Sequence, residues 1–361
     1  MSKIYVPSKD DNKKIIRILN RIFKKHFPSL IPSLYGKGKN SMEYHYCLEE
    51  DEKLNGIVCA YPSTINVGPV SIKGLGIGMV STRKSARGKG VMTTLLNHVL
   101  GSANESYDIA YLTGRRKRYE YFGFYPAGVN YIYDISGTSI QKYKNGNPYT
   151  VKKVKSEEDI NAVNELSKTA YQVVERPNTS DAEVLRNWYA KLYLLLKDGA
   201  PVGFMNVQLN VIERVYVKGG SADDYGYAIS AYMQYKGKKF IKVEAIPSEK
   251  ECIKALDDIS EVKIVRSGFK YKVFSFARLT EKLASLAVAE GYLGSYSAVI
   301  EVVGKEKFAL TVKDGAVNVC HTEEASNIIL TEQQAVSALL GGERISIPCL
   351  APISLHHYDL I

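Results

Sequence analysis

Two short stretches hold side chains whose types and spacing could do chemistry. The first is Arg87-Gly88-Lys89-Gly90-Val91-Met92, with strand-like Val80-Ser81-Thr82 and a basic loop before it and apolar residues at helical spacing after it. A strand that feeds a loop with two glycines, and then a helix, suits a pyrophosphate. Small residues let the backbone approach the ligand, and the unpaired amides of a helix start bind anions with help from the dipole. Arg87 and Lys89 add charge. Taken alone, the string reads equally as a basic surface turn, and its spacing fits neither a Rossmann nor a Walker loop. The second stretch is Tyr119-Glu120-Tyr121-Phe122-Gly123-Phe124. A tyrosine there could hand a proton to a leaving group or pack against Phe122 and Phe124, and Tyr121 is the neighbour most easily mistaken for Tyr119.

The elements that would position these residues follow from periodicity. Ser8 and Asp11 precede Ile15, Ile16, Leu19, Ile22 and Phe23, which share one helical face. Glu43 to Glu49 and Gly56 to Val67 read as a hairpin. A Gly-rich strand spans Ile72 to Thr82, and a helix from Gly90 to Leu100 follows the basic loop. Tyr107 to Thr113 reads as a strand, Arg115 to Phe122 as a helix, and Phe124 to Ile135 as paired strands. Asn145-Gly146-Asn147-Pro148 is turn chemistry and marks a boundary. The next segment repeats the order: strand Tyr149 to Val154, helices near Glu157 to Val173 and Ala182 to Tyr189, a hairpin of Tyr193 to Lys197 with Val202 to Val211, a helix Tyr225 to Lys236, and strands Lys239 to Ala245 and Tyr271 to Ala277. A third segment opens with a helix at Thr280, then strands Ser297 to Val303, Lys307 to Val312 and Ala316 to His321. Ile328 to Leu330 leads into a helix capped by Thr331 and Gln334. The expected fold class is α/β (α+β), as mixed α/β layers, with domains at 1–147, 148–279 and 280–361.

Composition narrows the classes. Hydrophobic residues make up 45% and charged residues 24%, so the chain can bury sizeable cores and is not disordered. Forty-eight Lys+Arg against 38 Asp+Glu gives +10, a bias toward anionic partners. Arg115-Arg116-Lys117-Arg118 lacks an aromatic platform, which favours a solvated helix face over a nucleic-acid patch. The five cysteines form no CxxC pair and the histidines no HxxxH or HExxH pattern, so no metal is expected. His356 and His357 are expected on opposite faces of a last strand. The absence of a signal-peptide core and of long apolar runs leads us to expect a cytoplasmic protein with no membrane span.

The two motifs, in this order, resemble the GNAT superfamily of acetyltransferases. Arg87 and Gly90 match its Arg/Gln-x-x-Gly-x-Gly/Ala loop, while Met92 stands where a small residue is usual. Two such segments followed by a small third domain are similar to the enhanced intracellular survival family, whose members end in a sterol-carrier-like domain. The resemblance implies tandem GNAT-like mixed-sheet domains, the second degenerate. It implies acetyl-CoA as co-substrate, with Val80, Ser81 and Thr82 on the pantetheine arm and the amides of Gly88, Lys89, Gly90, Val91, Met92 and Thr93 on the pyrophosphate. Gly114 and Arg115 would sit nearby. It further implies an amine acceptor (an aminoglycoside, a polyamine-like molecule or a lysine), Tyr119 as general acid, and the terminal carboxylate of Ile361 as general base. The apolar tail through Leu355, Tyr358 and Leu360 fits a buried end, and equally a last strand packed on the third domain. A homo-oligomer is a possibility that the resemblance raises. The competing reading is a non-catalytic protein that binds an apolar ligand in its third domain.

Overall fold

The computed structural model describes residues 2–341 and 347–359. The chain opens with β1 (Ser2–Tyr5), α1 (Asn12–Phe23) and the single turns α2 (Phe27–Leu30) and α3 (Pro32–Tyr35). Then come β2 (His45–Glu50), β3 (Lys53–Val67), β4 (Val70–Thr82), α4 (Val91–Ala103), β5 (Ile109–Leu112), α5 (Arg116–Glu120), β6 (Tyr125–Ala127) and β7 (Asn130–Ser136). The middle runs β8 (Tyr149–Lys153), α6 (Glu157–Ser167), β9 (Gln172–Glu175), α7 (Asp181–Val184), β10 (Lys191–Lys197), β11 (Ala200–Gln208), β12 (Val211–Val217), α8 (Ala222–Lys236), β13 (Phe240–Ala245), α9 (Lys250–Ile259), β14 (Val262–Arg266) and β15 (Phe269–Val273). The last part is α10 (Phe276–Ala289), β16 (Tyr296–Val302), β17 (Glu306–Lys313), β18 (Ala316–His321), β19 (Ile328–Leu330) and α11 (Glu332–Leu340).

Among the described residues, three sheets result. The first is ordered β1-β2-β3-β4-β5-β15-β6, with β9 also on β3; the second is β14-β7-β13-β12-β11-β10-β8; the third is β18-β17-β16-β19. In the first sheet, the middle of β3 is buried on both faces, because α1 lies on one and α4 on the other. That is why Gly56 to Tyr61 is a continuous apolar run with no alternation. In the third sheet α10 covers one face only, and β17 alternates accordingly: Phe308, Leu310 and Val312 are buried and their neighbours less so. The capping box of α11 is as expected, with Thr331 Oγ1 accepting from the Gln334 amide and Gln334 Oε1 accepting from the Thr331 amide.

Several expected pairings differ. Residues 124–135 do not form paired strands, because β6 stays in the first sheet while β7 joins β13 and β14 in the second. Conversely β15, expected to complete the second segment, pairs with β5 and β6 of the first. The first and second sheets thus exchange a strand across the boundary expected at 147. Gly128, at φ +76, turns the chain between β6 and β7, and its N–H bonds the Gly341 carbonyl at 2.7 Å. The stretch written as Val202 to Val211 ends at Gln208, and β12 follows after a turn at Leu209, which is 93% exposed with φ +54. No glycine or proline signals that turn. The third-segment helix begins at Phe276 and packs on both the first and third sheets. The tail up to Asp359 is not a strand; it runs without regular structure into one turn, His357–Asp359.

Candidate active site

The site begins where β4 and β5 part. These parallel strands pair only at Gly74–Ile109, Leu75–Ala110 and Gly76–Tyr111, and Ile77 to Thr82 continue without a partner on that side. Just past the last pair, β4 bulges against β3: Gly78 pairs with Cys59 and Ser81 with Ile57, leaving Met79 and Val80 opposite Val58 alone. Met79 takes φ +53. A bulge frees backbone groups from the ladder and aims them aside. The residue type of Met79 does not signal this state; the cue in the sequence is the glycine spacing of Gly74, Gly76 and Gly78 just before it.

The basic loop leads into α4. Gly88 and Gly90 sit at φ +79 and +75, and an added Cβ would meet nothing within 4 Å at either. Both glycines are therefore needed for left-handed backbone, not for room. Gly90 is the N-cap of α4, no side chain caps this end, and the first turn carries no acid. The amides of Val91, Met92 and Thr93 are thus open to an anion. Arg87 and Lys89 are exposed beside it, Val91 is buried, and Met92 packs half-buried on the core between α4 and the sheet. Val80 packs on the same core, Ser81 is buried on the α1 side with its hydroxyl unpartnered, and Thr82 is half-buried.

Tyr119 comes to the same edge on α5. It is buried in the core that holds Val91, Leu112 and Phe124, edge-on to the Phe124 ring at 6.3 Å. Burial pushes its hydroxyl above the ordinary tyrosine value, opposed by Arg118, so it holds its proton at neutral pH. Tyr121 is 75% exposed against Phe122 and does not share this environment. Gly114, at φ +150, faces the Tyr119 ring, and Arg115 is the exposed N-cap of α5.

The expected base at Ile361 lies outside the described residues. Its neighbour Asp359 is held deep in the molecule: Arg176 donates to its carboxylate at 2.7 Å, and both side chains are nearly inaccessible. Burial pulls the Arg176 guanidinium down, but Asp359 outweighs it and the net shift is upward. Arg176 also adjoins Tyr111, the last β5 residue paired with β4, whose hydroxyl shares a hydrogen bond with Ser63 at 3.1 Å. Further groups that sequence reading missed clamp the tail. Arg214 donates to the Tyr358 hydroxyl at 2.9 Å, and Asn130 and Gln172 donate to the carbonyls of Leu355 and Ser354 at 3.0 and 2.6 Å. His356 and His357 do not flank a strand: each meets its own glutamate, Glu249 and Glu213, at 3.1 Å. Among the described residues, no group of three or more His, Cys, Asp or Glu is placed to hold a metal, and no helix is long and apolar enough to cross a membrane.

Comparison with known proteins agrees with this geometry. Residues 4–127 match the model of the acetyltransferase (GNAT) domain. This is an acyltransferase domain. Beyond those residues the likeness is one of fold. A GCN5-related N-acetyltransferase from Anabaena variabilis is 16% identical, covering 94% of this chain and 89% of its own at a TM-score of 0.68. Eis1 from Mycobacterium abscessus is 13% identical, with 95% and 90% covered and a TM-score of 0.66. A probable N-acyltransferase from Enterococcus faecalis is 13% identical, with 89% and 86% covered and a TM-score of 0.65. These likenesses are of fold, and the mixed α/β architecture is that of tandem GNAT-like domains. No curated protein sequence matches the chain. An acyltransferase domain of this kind implies an acyl-CoA donor and an acceptor.

Proposed function

We propose that the first domain transfers the acetyl group of acetyl-CoA to a primary amine by direct attack, with Tyr119 as general acid and the carboxylate of Ile361 as general base. The observation that carries this reading is the meeting of three features where two central strands of one sheet part: the β4–β5 splay, the uncapped start of α4 and the buried Tyr119. The pyrophosphate would rest on the amides of Gly88 through Thr93, with Arg87 and Lys89 beside it. The backbone of Val80, Ser81 and Thr82, on the side that β5 leaves open, would hold the pantetheine arm in the splay.

In the reaction the amine lone pair attacks the thioester carbonyl carbon. The C–N bond forms and the C–S bond breaks, the amine proton goes to the base, and the departing thiolate takes the proton of Tyr119. The buried tyrosine is suited to this because it stays protonated until a strong base appears beside it. For the base, the support is the position of Asp359 against Arg176 and beside Tyr111, at the root of the splay. Two further residues span at most about 7 Å. A carboxylate in an apolar site is a stronger base than one in water. We also read the third unit as sterol-carrier-like, with the role of delivering this tail.

The test is release of free thiol from acetyl-CoA against a panel of amines, for the intact chain, Tyr119→Phe, and a chain extended by one residue after Ile361. Turnover that both changes cripple, with acetyl-CoA binding kept, supports both roles. Loss with Tyr119→Phe alone removes the terminal carboxylate from the mechanism. A chain that binds no acetyl-CoA overturns the whole reading.

A further inference from the structure

A groove of about 540 Å³ lies between α1, the start of β3 and the end of β4. That volume suits a small metabolite. Its floor is apolar, from Ile18, Ile22 and Ile57, and its walls are cationic. Lys14 and Arg21 project from α1, Lys53 from β3, and Arg83, Lys84 and Arg87 from the loop after β4; among the described residues of the lining, Glu52 is the one acid. None of the six cations takes part in an ion pair in the described structure, whereas Arg278 and Lys282 elsewhere are both paired with Asp108. The Ser81 hydroxyl, buried at the inner end, has no hydrogen-bond partner.

The sequence of α1 sets this charge beside its buried face. Lys14, Ile18, Arg21 and Ile22 fall at helical spacing on one stripe, beside the buried stripe of Ile15 and Leu19. The first turn of α1 carries Lys13 and Lys14 and no acid of its own, and the carboxylates of Asp10 and Asp11 stand just before it.

The groove is also on the correct side of the sheet. A Cβ on Gly56 would meet Val91 and Leu95 of α4, while the next residue, Ile57, packs on the α1 core with Cys59, Tyr61 and Met79. Lys14 and Arg21 therefore stand across the sheet from the start of α4, beside the bulge at Met79. Of the residues proposed for the pyrophosphate, Arg87 through Thr93, Arg87 alone also lines the groove among the described residues.

We infer that the acceptor is an anionic amine, a small primary amine that also carries a phosphate, seated in this groove with its amino group toward the bulge. The inference rests on the acyltransferase reading above. It excludes polyamines and aminoglycosides, which the six cations would repel.

The experiment compares matched amines with and without phosphate: glucosamine 6-phosphate and glucosamine, O-phosphoserine and serine, with spermidine as the cationic control. Thiol release and calorimetric binding are measured for the wild-type chain and for Lys14→Glu/Arg21→Glu. We expect a phosphorylated amine to exceed its partner in kcat/KM by about tenfold or more, as for loss of one charge-assisted bond. The double variant should raise the KM of that amine by a similar factor, while its acetyl-CoA Kd stays within about twofold. Preference for spermidine or for the unphosphorylated amines overturns the inference. So does a double variant that weakens acetyl-CoA instead, because the groove would then belong to the donor. If the chain binds no acetyl-CoA, the acyltransferase reading fails separately, and direct titration still judges the groove. Binding of glucosamine 6-phosphate or O-phosphoserine that the double variant abolishes supports it, and no binding overturns it.

Discussion

Gly114→Ala is the most direct probe of Tyr119 that leaves the tyrosine in place. A Cβ on Gly114 would stand 2.5 Å from Cε2 and 3.2 Å from Cδ2 of the Tyr119 ring. Carbon atoms settle at about 3.5–4.0 Å, so the ring must retreat by about 1 Å. It cannot do so freely, because Phe124 and the core around α4 back it, and such interiors are close-packed. Moving a catalytic group by about 1 Å can cost on the order of 10²-fold in rate, near the lower end of the 10²–10⁴ that a general acid contributes. At φ +150 the alanine adds backbone strain, which acts in the same direction. The assay is kcat for whichever amine is turned over, with acetyl-CoA Kd by calorimetry. Gly114→Ala should lower kcat by about 10²-fold and leave the Kd nearly unchanged. Combined with Tyr119→Phe, it should add little, because both changes remove one function. The reasoning is refuted if Gly114→Ala keeps kcat while weakening acetyl-CoA, which would make Gly114 a donor contact only. A double variant that loses the full product of the single losses would equally refute it.

Three further outcomes follow from the buried ionic groups. Asp359→Asn leaves Arg176 buried without its carboxylate and should destabilise by about 3–5 kcal/mol, lowering the thermal midpoint; Arg176→Met/Asp359→Leu should cost less than either single change. Burial holds His45 neutral and depresses it to about 4, with Nδ1 donating to the Ser41 carbonyl and Nε2 facing the Tyr35 hydroxyl. The unfolded chain binds that proton first, near pH 6.5, so this stability is complete above 6.5 and is lost as pH falls toward 4, by roughly 3 kcal/mol; His45→Gln should flatten the fall in thermal midpoint over that window. Burial pushes Asp108 up, but Lys282, the Lys73 amide and Arg278 outweigh it and hold it below the usual carboxylate value. Its contribution is therefore intact above about pH 4 and lost only below, so Asp108→Asn should lower the midpoint equally at pH 5 and pH 7.

What could be read in advance was what local sequence determines. The stripe of α1, the capped α11 and the apolar face of α4 come from spacing and caps within one element. The chemistry of Arg87 to Met92 likewise needs only a strand, two glycines and a helix in succession. Strand exchange could not be read this way, since β7 and β15 look alike in either sheet and the choice depends on contacts such as Gly128 to Gly341. The tail failed for a similar reason. His356, His357 and Asp359 are polar residues in an apolar stretch, and their partners Glu249, Glu213 and Arg176 are distant in sequence. The left-handed turn at Leu209 and the bulge at Met79 are backbone states of residues that seldom adopt them.

The second sheet bears on the proposal that the chemistry belongs to the first. It repeats the splay, as β12 and β13 pair only at Val211–Lys242 and Ile212–Val243, and Gly219-Gly220 then leads into α8 beside a cavity of about 420 Å³. The start of α8, however, is already satisfied by carboxylates and a hydroxyl. Ser221 Oγ accepts from the Asp224 amide, Asp224 accepts from the Ser221 amide, and Glu251 accepts from the Ala222 amide. Asp223 and Asp224 complement the dipole that α4 leaves open. A pyrophosphate approaching α8 would displace these bonds and face three carboxylates, while at α4 it meets free amides flanked by Arg87 and Lys89. The two helix starts thus hold opposite charge on the same scaffold. The one without caps gains nothing in stability from its bare amides, and that openness is what the proposed pyrophosphate site requires.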